Sequence, residues 1–508
     1  MTAGARPAEA TGGILRRGTG TLLGSITGGA LGFGNAVLVA RILGAEGFGL
    51  YAIGFALAMI GEALATSGLR TALLHFLPIQ RSRGLGGELR GTVIASLAIP
   101  AVVSSCIAVL FLSLAGVLAR RVFDKPDAAP FIAMVGYALP MMCLSELLGT
   151  ITRGLGYARY YVIVRNLAQP LTYMMLLGIL LAGHGDPGWV TVAYPCSYLV
   201  AFGAGVVSVV KTVRPEVGGQ RSIYDFRKLY AYSLPPLIST VFYLIIGWAD
   251  LLMLGAMVAG NQVGIYRACG QMVIPFEMTV VAFNTAAATA YPVLHQEGRI
   301  EALRATYQNS VRWISILAIP AFLLLVSQAS NLLGLMGPGF SAGAMALSLL
   351  VAGQLVNAVL GSAGFLLVLC GHQKIETVNA AFVAAWNILL NVILIPRLGI
   401  VGAAATTASC NVLLNGLRVA EVRVLMRLPT LQPALARLAS VGVVVALVAY
   451  WRGWVASAQA PSNLWSIVGV ALAIAASFGT GAWIVGLTQE ERSRVKEILA
   501  SRDRQGQT

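Results

Sequence analysis

The stretch LGAEGFGLYAIG at residues 43–54 is echoed more weakly by AGNQVGIYRACG at residues 259–270. The GLY of 49–51 and the GIY of 264–266 lie 215 residues apart. Each stretch is predicted to form a short outer junction between two membrane-crossing helices, where a tight turn needs the backbone freedom of glycine. The tyrosine of each copy then lies where aromatic rings favour the membrane interface.

Two further matches keep nearly the same spacing. LAIPA at 97–101 recurs at 317–321, and GYAR at 156–159 parallels GHQK at 371–374. Each match is short, but three matches in the same order at a nearly constant distance predict that the chain contains two related halves. This duplication explains why the motif at 43–54 recurs at 259–270.

The composition places the chain in a membrane. Hydrophobic residues make up 57% of the 508 residues, charged residues make up 11%, and the mean hydropathy is +0.79. A soluble protein of this length cannot cover so much apolar surface, whereas a bilayer needs about 20 apolar residues for each helical crossing. The six cysteines fall in apolar runs without C-x-x-C spacing, so neither a disulfide framework nor a metal site is predicted.

The apolar runs predict an all-α integral membrane protein with about fourteen transmembrane helices. The predicted spans are 20–42, 48–77, 91–118, 129–150, 160–183, 188–210, 234–258, 264–292, 308–330, 340–370, 376–396, 400–424, 434–453 and 462–487. The second, eighth and tenth spans are long enough to tilt or to project beyond the bilayer.

Six spans return the chain to the side on which it started, so the two halves are expected to be two parallel six-helix lobes around a central cavity, plus two C-terminal helices. Between the lobes, Ile223, Phe226, Leu229 and Tyr230 at helical spacing predict an amphipathic helix on the membrane surface. The predicted boundaries are a cytoplasmic N-terminus at 1–17, an N-lobe at 18–212, an amphipathic linker at 213–231, a C-lobe at 232–430, spans 13 and 14 at 431–487, and a cytoplasmic tail at 488–508.

The basic residues indicate the orientation. The chain has 35 Lys and Arg against 20 Asp and Glu, and most of the basic residues fall in one alternate set of connections. The positive-inside rule places that set, together with both termini, in the cytoplasm. The net charge of +15 is thus mainly a topology signal that suits anionic membrane lipids, and its spread over many loops gives no indication of nucleic-acid binding.

Several motifs resemble one protein family. They are ARILGAEGFGLYAI at 40–53, SGLRTALLHFLP at 67–78, RGLGYARYYVIVRNLAQP at 153–170, YSLPPLIS at 232–239, VGIYRACG at 263–270 and LGIVGAAATT at 398–407. They resemble the polysaccharide-biosynthesis flippases, the O-antigen and exopolysaccharide translocases of the MOP superfamily, which are related to the MATE drug exporters and the peptidoglycan lipid flippases. The resemblance covers about residues 18–430, and the span count, orientation and duplication agree with it.

The resemblance implies a transporter of the inner (cytoplasmic) membrane that moves an undecaprenyl-pyrophosphate-linked oligosaccharide to the outer leaflet by alternating access for cell-surface polysaccharide synthesis. Polysaccharide-assembly proteins are the implied partners. The peptidoglycan lipid flippases tend to carry arginines within the first span. Here that span holds only Arg41, at its outer end, with Asn35 deeper. This difference argues against lipid II as the cargo.

Two intramembrane carboxylates occupy equivalent positions in the repeat. Glu62 in span 2 and Glu277 in span 8 are 215 residues apart. At 1.5 Å per residue, each lies about 20 Å from the outer end of its helix, near mid-depth. A carboxylate from each half suits a central cavity that responds to H⁺ or Na⁺, and the alternative is that each Glu bonds a neighbouring helix or is protonated.

Asp250 near the outer end of span 7 and Arg267 near the start of span 8 are separated by a short turn. They are expected to form a pair, either structural or gating, and Asp250 is a third candidate for ion coupling. Arg41 at the outer end of span 1 is expected either to line the cavity or to extend to the interface.

Further polar residues line up near the inner half of spans 4 and 5: Glu146, Arg153, Arg165, Asn166 and Gln169. A pyrophosphate that leaves water needs cations, and the forked donors of arginine match phosphate oxygens. The alternative is that these arginines only follow the positive-inside pattern.

Two other functions stay open. A MATE-like exporter of drugs or small cations, driven by H⁺ or Na⁺, fits the same fold, although such exporters usually have twelve spans. A membrane glycan polymerase or ligase needs a sizeable outer loop, whereas the longest predicted outer connection is the short VLARRVFDKPDA at 117–128. The sequence has no G-x-x-x-x-G-K-[ST] and no H-E-x-x-H motif, so we expect a transporter without a cofactor rather than an enzyme.

Overall fold

The computed structural model describes residues 7–66, 68–287, 290–428, 433–451 and 464–486, and every regular element in these ranges is a helix. This agrees with the predicted all-α class. Contacts divide the chain into two compact units. Unit 1 comprises Met1–Gln271, Met336–Phe340 and Ala380–Ala403, and unit 2 comprises Met272–Leu335, Ser341–Asn379 and Ala404–Thr508. The predicted lobe boundaries follow the repeat rather than these contacts, and they stay a prediction.

Unit 1 is built mainly from the first eight α-helices and the start of the ninth. These are α1 Pro7–Thr66, α2 Leu69–Ser82, α3 Gly86–Val117, α4 Ala129–Gly154, α5 Ala158–Tyr161, α6 Gln169–Ala182, α7 Val190–Val217, α8 Phe226–Met257 and α9 Gly260–Ala287. The centre of unit 1 is α4, which packs on α3 and α7 and keeps 72% of its most apolar stretch away from the surface. A polar side chain on α4 is therefore forced to find its partners within the protein.

Glycines interrupt the helices of unit 1 at two places, of which the first is a junction that the repeat predicts. α1 contains Gly44 at φ 67° and ψ −177°, so the backbone leaves the helical conformation between predicted spans 1 and 2. Gly68 at φ 72° separates α1 from α2, and an added Cβ there would meet the carbonyl oxygen of Ser233. Predicted span 2, at 48–77, is thus divided between α1 and α2, because only glycine fits this left-handed close approach.

The predicted amphipathic linker helix is wrong. α7 continues to Val217, and Gly218 and Gly219 have left-handed φ values of 54° and 76°. The next residues are not helical, and the backbone N–H of Ile223 donates to the carbonyl of Gly87 at 2.9 Å. The apolar residues expected on a surface helix, Phe226, Leu229 and Tyr230, instead form the first turns of α8.

Unit 2 contains the remaining helices and α9 from Met272 onward. They are α10 Ala290–Gln296, α11 Ile300–Ser327, α12 Ala329–Gly334, α13 Ala344–Leu360, α14 Ser362–Leu369, α15 Gln373–Leu398, α16 Ile400–Leu425, α17 Pro433–Trp451 and α18 Leu464–Gly481. α15 passes from unit 2 into unit 1, and α16 passes back. The predicted tenth span, 340–370, is not one helix, because a break at Gly361 separates α13 from α14.

The last two helices pack against α11. Leu438, Val441 and Val445 of α17 and Phe478 of α18 share an apolar cluster with Ile319 of α11. These C-terminal helices therefore extend the core of unit 2.

The repeated motifs have matching local structures. LAIPA lies inside α3 and again inside α11, with Pro100 and Pro320 within the respective helices. Gly156 and Gly371, which begin the GYAR and GHQK motifs, have left-handed φ values of 81° and 95°. These paired features support the predicted duplication.

By length and composition, eleven helices within the described residues can cross a membrane. One of them, Gly24–Thr66, contains the break at Gly44, and α17 is a shorter apolar helix. α9 is not among the eleven, because it carries charged and amide side chains such as Arg267, Gln271 and Glu277. The count of fourteen spans stays a prediction.

The close approach of α13 to α16 gives a stability prediction. A Cβ added at Gly353 would lie 2.6 Å from the Cα of Ala408, whereas one added at Gly416 meets nothing within 4 Å. Overpacking costs about 1–3 kcal/mol, which exceeds the roughly 0.5–1 kcal/mol that Gly-to-Ala gains in a helix. We expect Gly353→Ala to lower the melting temperature in detergent and Gly416→Ala to keep or raise it. Equal melting temperatures would contradict this packing.

Candidate functional site

Four charged side chains meet in unit 1 and form what we call the four-charge cluster: Glu62, Arg70, Glu146 and Arg165. Arg70 bridges the two carboxylates, with Nη2 at 3.7 Å from Glu62 Oε2 and Nη1 at 3.4 Å from Glu146 Oε1. Arg165 approaches from the other side, with Nε 2.5 Å from Glu146 Oε2. The cluster therefore balances two negative charges with two positive charges.

Each member of the cluster comes from a different element. Glu62 lies in the last turns of α1, and Arg70 lies in the first turn of α2, directly after the left-handed Gly68. Glu146 is on the buried α4, and Arg165 is on the π-helical segment Val162–Ala168. The break at Gly68 redirects the chain so that Arg70 returns to Glu62, and a π-turn, which often occurs at functional sites, presents Arg165.

The acids and the bases of the cluster differ in exposure. The side chains of Glu62 and Glu146 are 10% and 8% exposed, whereas those of Arg70 and Arg165 are 40% and 44% exposed. Buried carboxylates hold the guanidinium groups in place, and the guanidinium groups keep donors available at an accessible surface. The exposed donors can contact an anion, but because the cluster is already neutral, a bound anion would need a further positive charge to balance it.

A small cavity adjoins the cluster. Its volume is about 10 Å³, which is room for about one water molecule, and its lining includes Glu62, Glu146, Arg165, Gln169 and Tyr198. Glu62 Oε1 is buried without a hydrogen-bond partner among the described residues. The cavity therefore supplies a polar space beside an acceptor that still needs a donor.

The other residues predicted on spans 1, 4 and 5 contact groups outside the four-charge cluster. Asn35 donates from Nδ2 to the carbonyl of Pro170 at 3.0 Å and so joins α1 to α6. Gln169 donates to the hydroxyl of Ser197 at 3.2 Å. The guanidinium carbon of Arg153 lies 5.3 Å from the centre of the Tyr161 ring. Of the predicted set on spans 4 and 5, the structure brings Glu146 and Arg165 together.

The expected contact between Asp250 and Arg267 is replaced by other contacts. Asp250 accepts hydrogen bonds from the hydroxyl of Tyr266 and from the backbone N–H of Leu251. The guanidinium carbon of Arg267 instead lies 4.8 Å from the Phe55 ring centre and 5.4 Å from the Trp248 ring centre. Arg267 Nε has no hydrogen-bond partner among the described residues. Aromatic faces thus support this cation where we expected a carboxylate.

Arg41, also predicted to reach the site, is exposed on α1 just before the break at Gly44. This position is compatible with either of the alternatives given above.

Unit 2 contains a chain of hydrogen-bonded polar side chains that begins at Glu277. Gln354 donates to Glu277 Oε1 at 2.6 Å, and Asn357 donates to Gln354 Oε1 at 3.1 Å. Asn415 of α16 donates to Asn357 Oδ1 at 3.1 Å. The exposed carboxylate on α9 is therefore connected to the interior of unit 2 through amide groups on α13 and α16.

The same chain ends in a buried ion pair. Arg418 donates to Asn415 Oδ1 at 3.1 Å and from Nε to both carboxylate oxygens of Glu376 at 3.1 Å. The side chains of Arg418 and Glu376 are 11% and 7% exposed. One helical turn beyond Glu376, Asn379 donates to Glu421 at 2.7 Å. This end of α15 is held to α16 by charge.

Arg70 and most of the hydrogen-bonded side chains of unit 2 were not among the predicted site residues. In α16, the polar residues Asn411, Asn415 and Arg418 recur at helical spacing and therefore lie on one face of an otherwise apolar helix. This pattern could have identified them from the sequence. Arg70 carried no such signal, because its position follows from the break at Gly68. Within the described residues, no group of three or more His, Cys, Asp and Glu side chains is placed to hold a metal ion.

The buried ion pair gives a prediction. Arg418→Leu leaves the Glu376 carboxylate buried without its cation, which costs about 3–5 kcal/mol, whereas replacing both partners with leucine is often neutral. We expect Arg418→Leu to lower the melting temperature sharply and Arg418→Leu/Glu376→Leu to recover most of the loss. Arg423→Leu, at an exposed position on the same helix, is the control. Additive losses in the double variant would show that the two side chains act independently.

Comparison with known sequences finds relatives of this chain. Residues 14–296, more than half of the chain, match the family model described as polysaccharide biosynthesis protein. The probable low-salt glycan biosynthesis flippase Agl15 of Haloferax volcanii is 25% identical over 199 residues, covering 38% of this chain and 40% of Agl15. Stage V sporulation protein B of Bacillus subtilis is 31% identical over 119 residues, 23% of each chain. The aligned regions thus span less than half the length of these curated relatives.

Solved structures share the fold over a larger part of the chain. The lipid II flippase MurJ in an inward closed conformation has a TM-score of 0.69 at 11% identity, covering 91% of this chain and 98% of that one. An inward-facing multidrug resistance MATE transporter of the MOP superfamily has a TM-score of 0.65 at 16% identity, covering 78% and 93%. At these identities the likeness shows a common fold.

Proposed function

Since the chain belongs to the polysaccharide biosynthesis protein family, we propose that it is a flippase that carries a lipid-linked oligosaccharide across the cytoplasmic membrane. The carrier we propose is undecaprenyl pyrophosphate, and the route is alternating access with both termini in the cytoplasm. The observation that carries the proposal is the four-charge cluster, where buried carboxylates hold two partly exposed guanidinium groups.

A pyrophosphate group that enters an apolar protein must exchange its hydration water for fixed donors. Arg70 and Arg165 supply forked donors that match phosphate oxygens, and they are already positioned by Glu62 and Glu146. Arg267, held on the faces of Phe55 and Trp248, supplies a further cation in unit 1. These groups favour an anionic substrate over a cationic one.

The cluster also suggests how substrate binding is linked to an ion. An anion that binds Arg70 and Arg165 weakens their attraction to Glu62 and Glu146, so these carboxylates gain affinity for H⁺ or another cation. Glu277, the repeat equivalent of Glu62, is the corresponding acid in unit 2. In this mechanism the protein takes up the ion as it accepts the lipid and releases both together.

The first experiment is deletion of the gene, followed by mass spectrometry of the lipid-linked oligosaccharides and measurement of surface polysaccharide. We expect one complete pyrophosphate-linked repeat unit to accumulate as the surface polymer disappears, because synthesis continues while translocation stops. Unchanged lipid pools together with increased sensitivity to cationic drugs would instead indicate the MATE-like exporter.

Variants of the four-charge cluster test its role in the same assay. Loss of a charge-assisted hydrogen bond costs about 1.5–3 kcal/mol, so Arg70→Gln and Arg165→Gln should each reduce the translocation rate by roughly tenfold or more. Arg299→Gln is the matched control, since the Arg299 side chain is 63% exposed and its ion pair among the described residues is with the neighbouring Glu297. Equal rates for the cluster variants and the control would exclude the cluster from substrate handling, provided that all variants reach the membrane in equal amounts.

The two repeat-related acids give a separate prediction. In proteoliposomes, we expect Glu62→Gln and Glu277→Gln each to abolish the dependence of transport on an imposed pH or sodium gradient, because neither amide can exchange a proton. Glu297→Gln, outside the predicted spans, is the control. Full gradient-driven transport by Glu62→Gln/Glu277→Gln would remove both residues from ion coupling.

A further inference from the structure

The π-helical segment of the four-charge cluster, Val162–Ala168, lies against α1 where two glycines make room for it. A Cβ added at Gly24 would overlap the side chain of Val162. A Cβ added at Gly28 would lie 2.8 Å from the Cβ of Asn166 and 3.0 Å from its carbonyl oxygen. Residues four apart lie on one face of a helix, so a single face of α1 contacts the segment near both of its ends.

The opposite face of the segment is packed as well. Val164 is buried between α4 and α7. A Cβ added at Gly149 of α4 would lie 3.8 Å from Val164 Cγ1, and one added at Gly205 of α7 would lie 3.5 Å from the same atom. Three helices therefore enclose the segment, and an extra atom on the glycine face of α1 would have to displace it.

The π-helical conformation decides the direction in which Arg165 points. A π-turn closes over five residues where an α-turn closes over four, and each residue is about 100° of rotation in an α-helix. An α-helical path through Val162–Ala168 would therefore turn the guanidinium group away from Glu146, to which Nε now lies at 2.5 Å. The space that the glycines provide on α1 thus bears directly on the ion pair.

The second half of the chain has a different arrangement at the equivalent place. At the offset of 215 residues that relates GYAR to GHQK, the segment corresponds to residues 377–383, which are α-helical within α15. Arg165 corresponds to Ala380, so the second half has no cation at this position. The two glycines of α1 correspond to larger residues of α8, Ser239 and Tyr243. The close-packed glycines, the π-turn and the arginine thus occur together in the first half and are replaced together in the second.

We propose that Gly24 and Gly28 are positioning residues, which hold the π-helical segment where Arg165 reaches Glu146. The inference rests on the proposed function, in which Arg165 receives the pyrophosphate, and it assigns this recognition to the first half of the chain. Space for a ligand atom adjoins the segment. Arg165 lines the small cavity beside Glu62, whose Oε1 is buried without a hydrogen-bond partner among the described residues.

The coupling between Arg165 and Glu146 measures this positioning without any substrate. In the wild-type protein, Arg165→Gln and Glu146→Gln should lower the melting temperature in detergent non-additively, because each single change leaves a charge without its partner. We expect Gly28→Ala to remove most of this non-additivity, since the added Cβ pushes on backbone atoms of Asn166. Gly32→Ala, one turn further along α1, is the matched control and should preserve it, because its added Cβ meets nothing within 4 Å.

Gly24→Ala gives a second test that does not depend on Gly28→Ala folding. The three atoms nearest to its added Cβ all belong to the side chain of Val162, so Gly24→Ala/Val162→Ala restores most of the space. We expect Gly24→Ala to weaken the coupling between Arg165 and Glu146, and the double variant to recover it. Val162→Ala alone serves as the reference for the lost side-chain volume.

Lipid binding tests the link to the proposed function. We expect native mass spectrometry to show that undecaprenyl pyrophosphate binds Gly28→Ala roughly tenfold more weakly than the wild-type protein, because a charge-assisted hydrogen bond is lost. Undecaprenol, which has the same chain without the pyrophosphate, should bind the wild-type protein, Gly28→Ala and Gly32→Ala equally.

The outcomes separate this inference from the proposed function. Non-additivity that persists in both Gly28→Ala and Gly24→Ala, an equal loss in Gly32→Ala, or a loss in Gly24→Ala that Val162→Ala does not repair would each overturn the positioning role. Loss of the coupling with unchanged binding of undecaprenyl pyrophosphate would support the positioning role and reject the pyrophosphate as the ligand of Arg165.

Discussion

A carboxylate inside an apolar helix bundle is stable only where other groups replace its lost hydration. In unit 1 this requirement applies to Glu62 and Glu146, and Arg70 and Arg165 meet it. The same requirement shapes the chain around them. The chain must break at Gly68 for Arg70 to turn back to Glu62, and the π-helical turn of Val162–Ala168 presents Arg165 to Glu146. The local backbone irregularities of unit 1 thus serve the pairing of its charges.

Unit 2 meets the same requirement in another way. Its exposed acid, Glu277, contacts an amide, and further amides extend the chain of hydrogen bonds to the buried pair of Arg418 and Glu376. In unit 1 the acids and arginines contact each other directly. In unit 2 amide groups lie between Glu277 and Arg418. The two units therefore satisfy their acidic side chains with different groups.

Small residues decide where backbones come close. Gly49 and Gly264 allow the repeated motifs at 43–54 and 259–270 to come into backbone contact. Gly353 allows α13 to approach α16. In a bilayer, where apolar side chains gain little by leaving lipid, close backbone contact is a principal source of helix association. A chain with 57 glycines can therefore form many such close contacts.

The sequence by itself determined the membrane class, the all-α architecture, the duplication and the family resemblance. These properties follow from hydropathy, from spacing and from short motifs, all of which depend only on the order of residues along the chain. It also identified Glu146 and Arg165 as candidates on neighbouring spans. It predicted a linker helix at 213–231, whereas the chain is not helical between Gly218 and Asp225. It also gave no sign of the breaks at Gly68 and Gly361 within the spans 48–77 and 340–370, because apolar periodicity continues across these glycines while the helix does not.

Only the tertiary structure assigned partners to the charges. Arg70 looked like an ordinary basic residue until the break after α1 returned it to Glu62, and Arg267 was expected beside Asp250 but lies on aromatic rings. Lys125 in a short loop gave no signal, because its acceptor, the carbonyl of Gly255, lies 130 residues away. Which side chain satisfies a buried charge depends on three-dimensional neighbours, and spacing along one helix cannot specify neighbours on another.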